Sequence, residues 1–258
     1  MPKPLEGDWL SENEESGQSF LEFVESNPPR PQDNRRVLYV QPVDSFHNTN
    51  SELLANTCEM LSIFFRLPVQ ILPELSLEHL PEGARRIHMG SPQVDSISIL
   101  RLLAQHKPAD AVAVLALTAS DLWPNVKGHS FNFVFGQASP HKGTGVWSTA
   151  RFGDEPTIAL QRTLKTAVHE TGHMLGINHC THYACGMNGC NHLEENDRRP
   201  FGFCMECEMK VWWACDIENV GARYTKLAAL MEKLGLPGDA AWYRQCLEAV
   251  TVSGEKRS

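Results

Sequence analysis

The sequence predicts an α/β fold, α+β in the finer division, in a single domain preceded by a lead-in. Three observations predict it. Strand-length apolar runs alternate with helical periodicities from Val37 to about residue 178. A helical segment, Leu160 to Leu175, sets an apolar stripe against a face of histidines. Paired cysteines between Cys180 and Cys207 then lead into further helical stretches. A chain of 258 residues with 42% hydrophobic side chains can bury one sizeable core without a second globular unit.

The elements follow in order. Residues 1–35 are rich in Glu, Ser, Asn and Pro and end in Asn27-Pro28-Pro29-Arg30-Pro31, which reads as a flexible or loosely docked tail. Trp9, Phe20, Leu21, Phe23 and Val24 interrupt that polarity, and a short helix is expected near Gln18 to Glu25. Val37 to Val43 is apolar enough for a buried first strand. A helix near Ser51 to Phe65, a strand around Val69 to Leu72 and a helix near Val94 to Gln105 come next. Ala111 to Leu117 is a continuous apolar run, as in a central strand covered on both faces. Ser130 to Phe135 and Gly145 to Phe152 alternate and flank the turn-rich Ser139-Pro140-His141-Lys142-Gly143, so they read as a hairpin. Beyond Cys207, Val220, Tyr224, Leu227, Met231 and Leu234 form an apolar stripe. Gly235 and Pro237 stop that helix, and a last short one is expected near Ala240 to Val250.

The histidine helix carries the chemistry. His169 and His173 are four positions apart, so on a helix they project from one face about 5–6 Å from each other and can share one metal ion. At about 100° per residue, Glu170 lies beside them while Leu160, Leu164, Val168, Thr171 and Leu175 take the opposite face. Gly176 can adopt the left-handed conformation that ends a helix, and Asn178 tolerates a turn, so His179 can fold back as a third ligand. Three protein nitrogens leave one tetrahedral position for water, the arrangement of a catalytic zinc site. Glu170 is misplaced for ligation but well placed to touch that water as general base.

A second metal pattern follows at once. Cys180 and Cys185, then Cys204 and Cys207, suit a closed tetrahedral site of four thiolates, and the turn-rich segment Gly186 to Phe203 needs such a staple. Two zinc ions per chain are therefore expected, one catalytic and one structural. His179 and Cys180 are adjacent, so the cysteine-bound zinc is expected to anchor the loop that presents the third imidazole. Local disulfides are the alternative, but nothing in the chain indicates an oxidising compartment. Cys190 lies near the cluster and reads as a spare thiol, the alternative being that it replaces Cys185 as a ligand. Cys58, Cys215 and Cys246 sit in apolar helical stretches and are expected to pack as small hydrophobes.

A net charge of −8 without a stripe of Lys or Arg argues against a nucleic-acid surface, despite the paired cysteines. No signal peptide and no run long enough to span a membrane is expected. Cytoplasmic residence, with the nucleus as a further option, and a monomeric state are the expectations. His129, His182 and His192 carry no motif. Tyr183 is either a hydrogen-bond donor to a developing oxyanion or a support for the cysteine loop.

The run from His169 to His179, passing directly into Cys180, Cys185, Met187, Cys204 and Cys207, resembles the archaemetzincin family of zinc metallopeptidases. The resemblance extends to Leu38-Tyr39-Val40-Gln41-Pro42-Val43-Asp44 and to Asp110 through Phe152. It implies a metzincin-like catalytic domain with a mixed, twisted sheet, an active-site helix and a zinc-stapled helical C-terminal subdomain. The expected division is a tail, 1–35, and one catalytic domain, 36–258, whose upper part, 36–178, ends with the active-site helix and whose lower part, 179–258, holds the four cysteines. The resemblance further implies His169, His173 and His179 as catalytic zinc ligands, Glu170 as base and the four cysteines as the second site. Met187 is implied as the methionine beneath the metal, with Gly176 supporting the turn. In metzincin-like proteins the strand before the active helix lies at the sheet edge, so Val146, Trp147, Ser148 and Thr149 are expected along the substrate backbone. The expected activity is zinc-dependent peptide hydrolysis, aminopeptidase-like on small peptides. The alternative is a weakly active or inactive zinc-stabilised module that binds peptide or protein.

Overall fold

The computed structural model describes residues 3–32, 34–127 and 132–255. Two short helices, α1 (Trp9–Glu12) and α2 (Phe20–Glu25), precede the first strand, β1 (Val37–Val43). Then come α3 (Phe46–Thr49), α4 (Ser51–Phe65), β2 (Val69–Ile71), β3 (Arg85–His88), β4 (Ser91–Asp95), α5 (Ser96–Gln105), β5 (Ala111–Thr118) and β6 (Asp121–Trp123). The hairpin of β7 (Gly136–Ser139) and β8 (Thr144–Ser148) leads into α6 (Pro156–Met174). After it come α7 (Leu193–Arg198), α8 (Met205–Cys215), α9 (Val220–Lys233) and α10 (Pro237–Glu255).

The main sheet has the order β2-β1-β5-β8-β7, parallel except for the edge strand β7, so it is mixed as expected. Every residue of β5 is buried. Its side chains feed two cores, because successive strand residues face opposite sides. Leu115 and Leu117 join α4, α6 and the C-terminal helices, and Val114 and Ala116 join α5. On the first side the Arg223 guanidinium, fully buried, donates to the Phe64 carbonyl (2.6 Å) and to Glu208 (2.7 Å), tying α9 to α4 and α8. Among the described residues no helix is long and apolar enough to cross a membrane.

Two expectations are corrected here. The hairpin's first arm is Gly136–Ser139, where Ser130 to Phe135 was expected. Of that stretch Val134 makes an isolated bridge to Leu122, whereas Ser130 and Phe131, like His129, lie outside the described residues. Val94 and Asp95 belong to a strand, and α5 begins at Ser96, because the Asp95 carboxylate caps it by accepting from the amides of Ile97 (3.0 Å) and Ser98 (3.2 Å). Val94 pairs with Arg85 and Leu122 in the small sheet β3-β4-β6, whose short polar strands lack the alternation that marks a strand in sequence.

The N-terminal segment makes many contacts with the rest of the chain. Helix α2 begins with a capping box between Ser19 and Glu22 and buries Phe23 against Trp213, with ring centroids 5.9 Å apart.

Candidate metal centre and catalytic cleft

Helix α6 starts at Glu155, whose carboxylate accepts from the Ile158 amide (2.6 Å), with proline at the first helical position. Leu164, Val168, Thr171 and Leu175 enter the core, as the stripe predicted, which turns His169 and His173 toward the cleft. The helix stops at Gly176, φ +84°, where a Cβ would also stand 2.8 Å from Pro28 Cβ. The chain then doubles back, with the Ile177 amide on the Gly172 carbonyl (3.1 Å), and brings His179 to the other two imidazoles.

The three rings lie with centroids 4.5 Å (His169–His173), 4.9 Å (His173–His179) and 5.3 Å (His169–His179) apart. His169 Nδ1 faces the Gly186 carbonyl at 2.9 Å and His173 Nδ1 faces the Ile177 carbonyl at 2.7 Å. A carbonyl only accepts, so at His173 the proton sits on Nδ1 and the lone pair on Nε2; at His169 the Arg199 guanidinium also stands 3.0 Å from Nδ1. The two Nε2 atoms meet at 3.0 Å. Adding a second proton to either ring would make it an imidazolium. Burial and the neighbouring rings oppose that, holding His169 well below its usual value and His173 down to about 3. Uncharged imidazoles that converge in this way fit a divalent cation, and one nitrogen from each of the three rings lies within 4.8 Å of the others.

Glu170 is 6% exposed, and its carboxylate lies against Gly136 of the edge strand, where a Cβ would stand 2.8 Å from Glu170 Cδ. Burial pushes its pKa up to about 8, opposed by the Arg199 guanidinium. Arg199, itself buried, donates to the carbonyl of Asn188 (3.0 Å) and to Asn196 Oδ1 (2.8 Å). A cavity of about 500 Å³ opens before these groups. Its walls include Phe133, Phe135 and strand β7 on one side, Asn191, Asn196 and Arg199 on the other, and Trp9 from the N-terminal segment.

Met187 is fully buried, and a Cβ at Gly172 would stand 2.7 Å from its sulfur, so glycine permits this close approach. The sulfur atoms of Cys180, Cys185, Cys204 and Cys207 lie within 4.8 Å of one another. Backbone amides of Met187 (3.4 Å) and Cys204 (3.2 Å) point at Cys185 Sγ, as they do around metal-bound thiolates. Asn188 stitches the loop by accepting from the Cys185 amide (2.8 Å) and donating to the carbonyls of Cys180 (2.6 Å) and Tyr183 (2.9 Å). Cys190 stands apart from the four and lines the cavity, its thiol pushed up to about 11 by burial. Cys58 and Cys215, pushed up to about 12, and Cys246, to about 11, are likewise desolvated thiols.

The expected substrate strand needs correction. Val146, Trp147 and Ser148 are buried in β8, which lies between β5 and β7, and Thr149 follows it, so none of them offers an unpaired edge. Gly136–Ser139 is the edge strand and lines the cavity. Tyr183 is 53% exposed and sits at the cysteine loop, not among the cavity's lining. Sequence reasoning missed Glu15, Trp9, Gly136 and Arg199. Each meets the site only through the fold, and no local spacing marks it.

Residues 88–212 match the sequence model of peptidase family M54. Archaemetzincin-2 of Mus musculus is 32% identical over 262 residues, covering 86% of this chain and 71% of that protein. Two solved structures are similar. Archaemetzincin from Archaeoglobus fulgidus, complexed with malonate, has a TM-score of 0.53 at 31% identity and covers 67% of this chain and 99% of its own. Archaemetzincin from Methanopyrus kandleri has a TM-score of 0.58 at 28% identity, covering 72% and 98%. Likeness of this extent, in sequence and in fold, places the chain in the archaemetzincin family, and the chain belongs with it to the zinc metallopeptidases of family M54.

Proposed function

We propose that His169, His173 and His179 hold the zinc ion of this peptidase through ring nitrogens, and that Glu170 is the general base of peptide hydrolysis. A bound zinc ion supplies Lewis acidity, which polarises a carbonyl and lowers the pKa of water. The remaining work belongs to the chain. Glu170 takes the proton of the attacking water on its carboxylate and returns it to the leaving amine nitrogen. Strand β7, with one edge free to pair, aligns an extended peptide by strand addition. A cavity of about 500 Å³ with Trp9 in its wall suits a short peptide, and aminopeptidase-like cleavage of small peptides is the mode proposed. A second zinc ion in the four-cysteine cluster has a structural role.

The reading rests on the convergence of one ring nitrogen from each of His169, His173 and His179 within 4.8 Å, with Glu170 beside them. It is tested by elemental analysis and turnover of a mixed peptide library. Wild type and Glu170→Ala should each hold about two zinc ions, with cleavage in wild type alone. His173→Ala should fall to about one. Turnover by Glu170→Ala equal to wild type would contradict the assigned base, and cleavage by neither protein would favour a peptide-binding module.

A further inference from the structure

The three imidazoles are held in unlike ways. His169 and His173 face backbone carbonyls, Gly186 and Ile177, within the site's own stretch of chain. His179 Nδ1 faces a carboxylate: both oxygens of Glu15, each at 3.0 Å, from a residue 164 positions earlier. The segment bearing Glu15 is fastened to the same loop on either side of that contact. Gln18 donates to the Gly176 carbonyl (3.2 Å) and accepts from the Asn178 amide (3.2 Å), bracketing the turn that delivers His179. The Trp9 ring stands edge-on to His179 at 5.2 Å, and the Trp9 amide donates to Glu195 (2.9 Å). Gly17, φ +74°, crosses so close to Thr181 that a side chain there would collide with it.

We infer that Glu15 is a positioning residue for the metal centre, supplied by an N-terminal strap that fixes the third imidazole with its Nε2 lone pair toward the zinc ion. A carboxylate only accepts, so the proton of His179 is held on Nδ1, and the anion strengthens Nε2 as a donor more than a carbonyl does. The strap's second role is mechanical. His179 leaves the helix beyond a glycine turn, and the Gln18 bracket removes freedom that Gly176 introduces.

This inference rests on His179 being a ligand, so the test separates the two. Zinc affinity is measured on the full chain by chelator competition. Cobalt absorption distinguishes the imidazole site from the intense thiolate bands of the cysteine site. Glu15→Ala should weaken binding at the imidazole site by about 10–100-fold and move its cobalt bands, with the thiolate bands unchanged. Glu15→Gln, which keeps an acceptor oxygen without the charge, should lose less and confirms a folded strap. Wild-type affinity and cobalt spectrum in both Glu15 variants, alongside loss of the site in His179→Ala, would overturn the role of Glu15 alone. Wild-type affinity in His179→Ala would instead overturn the three-imidazole reading. Lower thermal stability of Glu15→Ala at unchanged affinity would reduce the contact to a structural one and also overturns the inference.

Discussion

Gly136 admits the Glu170 carboxylate because it has no side chain. Its backbone is ordinary, so the requirement is one of space, and an added methyl would meet Glu170 Cδ at 2.8 Å. Gly136→Ala should therefore displace the base while leaving the imidazoles in place. Misplacing a catalytic group by about 1 Å costs roughly 100-fold, so kcat/KM is expected to fall by that order at unchanged zinc content. Turnover within twofold of wild type would show that the carboxylate is not held there. The same contrast explains what the sequence discloses at this scale. His169, Glu170, His173, Gly176 and His179 lie within eleven residues, where helical spacing and one glycine turn bring them together. Gly136, Glu15 and Arg199 reach the same few ångströms from distant parts of the chain, where nothing in their own neighbourhood points at a metal.

Helices are read well from sequence because their pattern is internal. Ser51–Phe65 and the stripe of α6 match the expected bounds and face. Strand order depends on neighbours, which is why β8 could be recognised as a strand yet misplaced at the edge. Between α6 and α7 a buried cation adds to the two-point Arg162–Asp197 ion pair. Lys165, 6% exposed, donates to the carbonyls of Arg199 (2.7 Å) and Asn196 (3.3 Å) at the end of α7, and so fixes the wall that carries Arg199. Burial, reinforced by Arg199, pushes its pKa from 10.5 down to about 8. The folded value lies below the unfolded one, so between about 8 and 10.5 the unfolded chain holds more protons and stability rises with pH across that window. The contribution is absent below it and reaches at most about 3 kcal/mol. Lys165→Met should remove the rise. Urea midpoints of both proteins at pH 7 and pH 10 measure it, and parallel pH responses would show that Lys165 carries no such penalty.

At the scale of the molecule, the two proposed zinc sites share one length of backbone. His179 belongs to one and Cys180 to the other, and the Cys180 amide donates to the carbonyl of Met187 (2.9 Å), whose sulfur packs against Gly172 of α6. Opening the sulfur cluster should loosen both. Cys207→Ser is expected to lower thermal stability and also to reduce zinc at the three imidazoles, read as fewer than one ion per chain remaining in the folded protein. Full occupancy of the imidazole site, with activity, in folded Cys207→Ser would show the two sites to be independent.

The bond between Glu15 and His179 also sets an order of events. Bringing together groups 164 residues apart costs roughly 4–5 kcal/mol of chain entropy. A hydrogen bond to a charged group returns only about 1.5–3 kcal/mol. The contact therefore cannot gather the chain by itself. It closes only after the sheet has paired and the cysteine loop has taken shape, once its two ends are already near each other. On the proposed role of His179, fixing of the third imidazole would then come late, and a molecule stopped just short of it would have its scaffold complete while its chemistry was still unassembled.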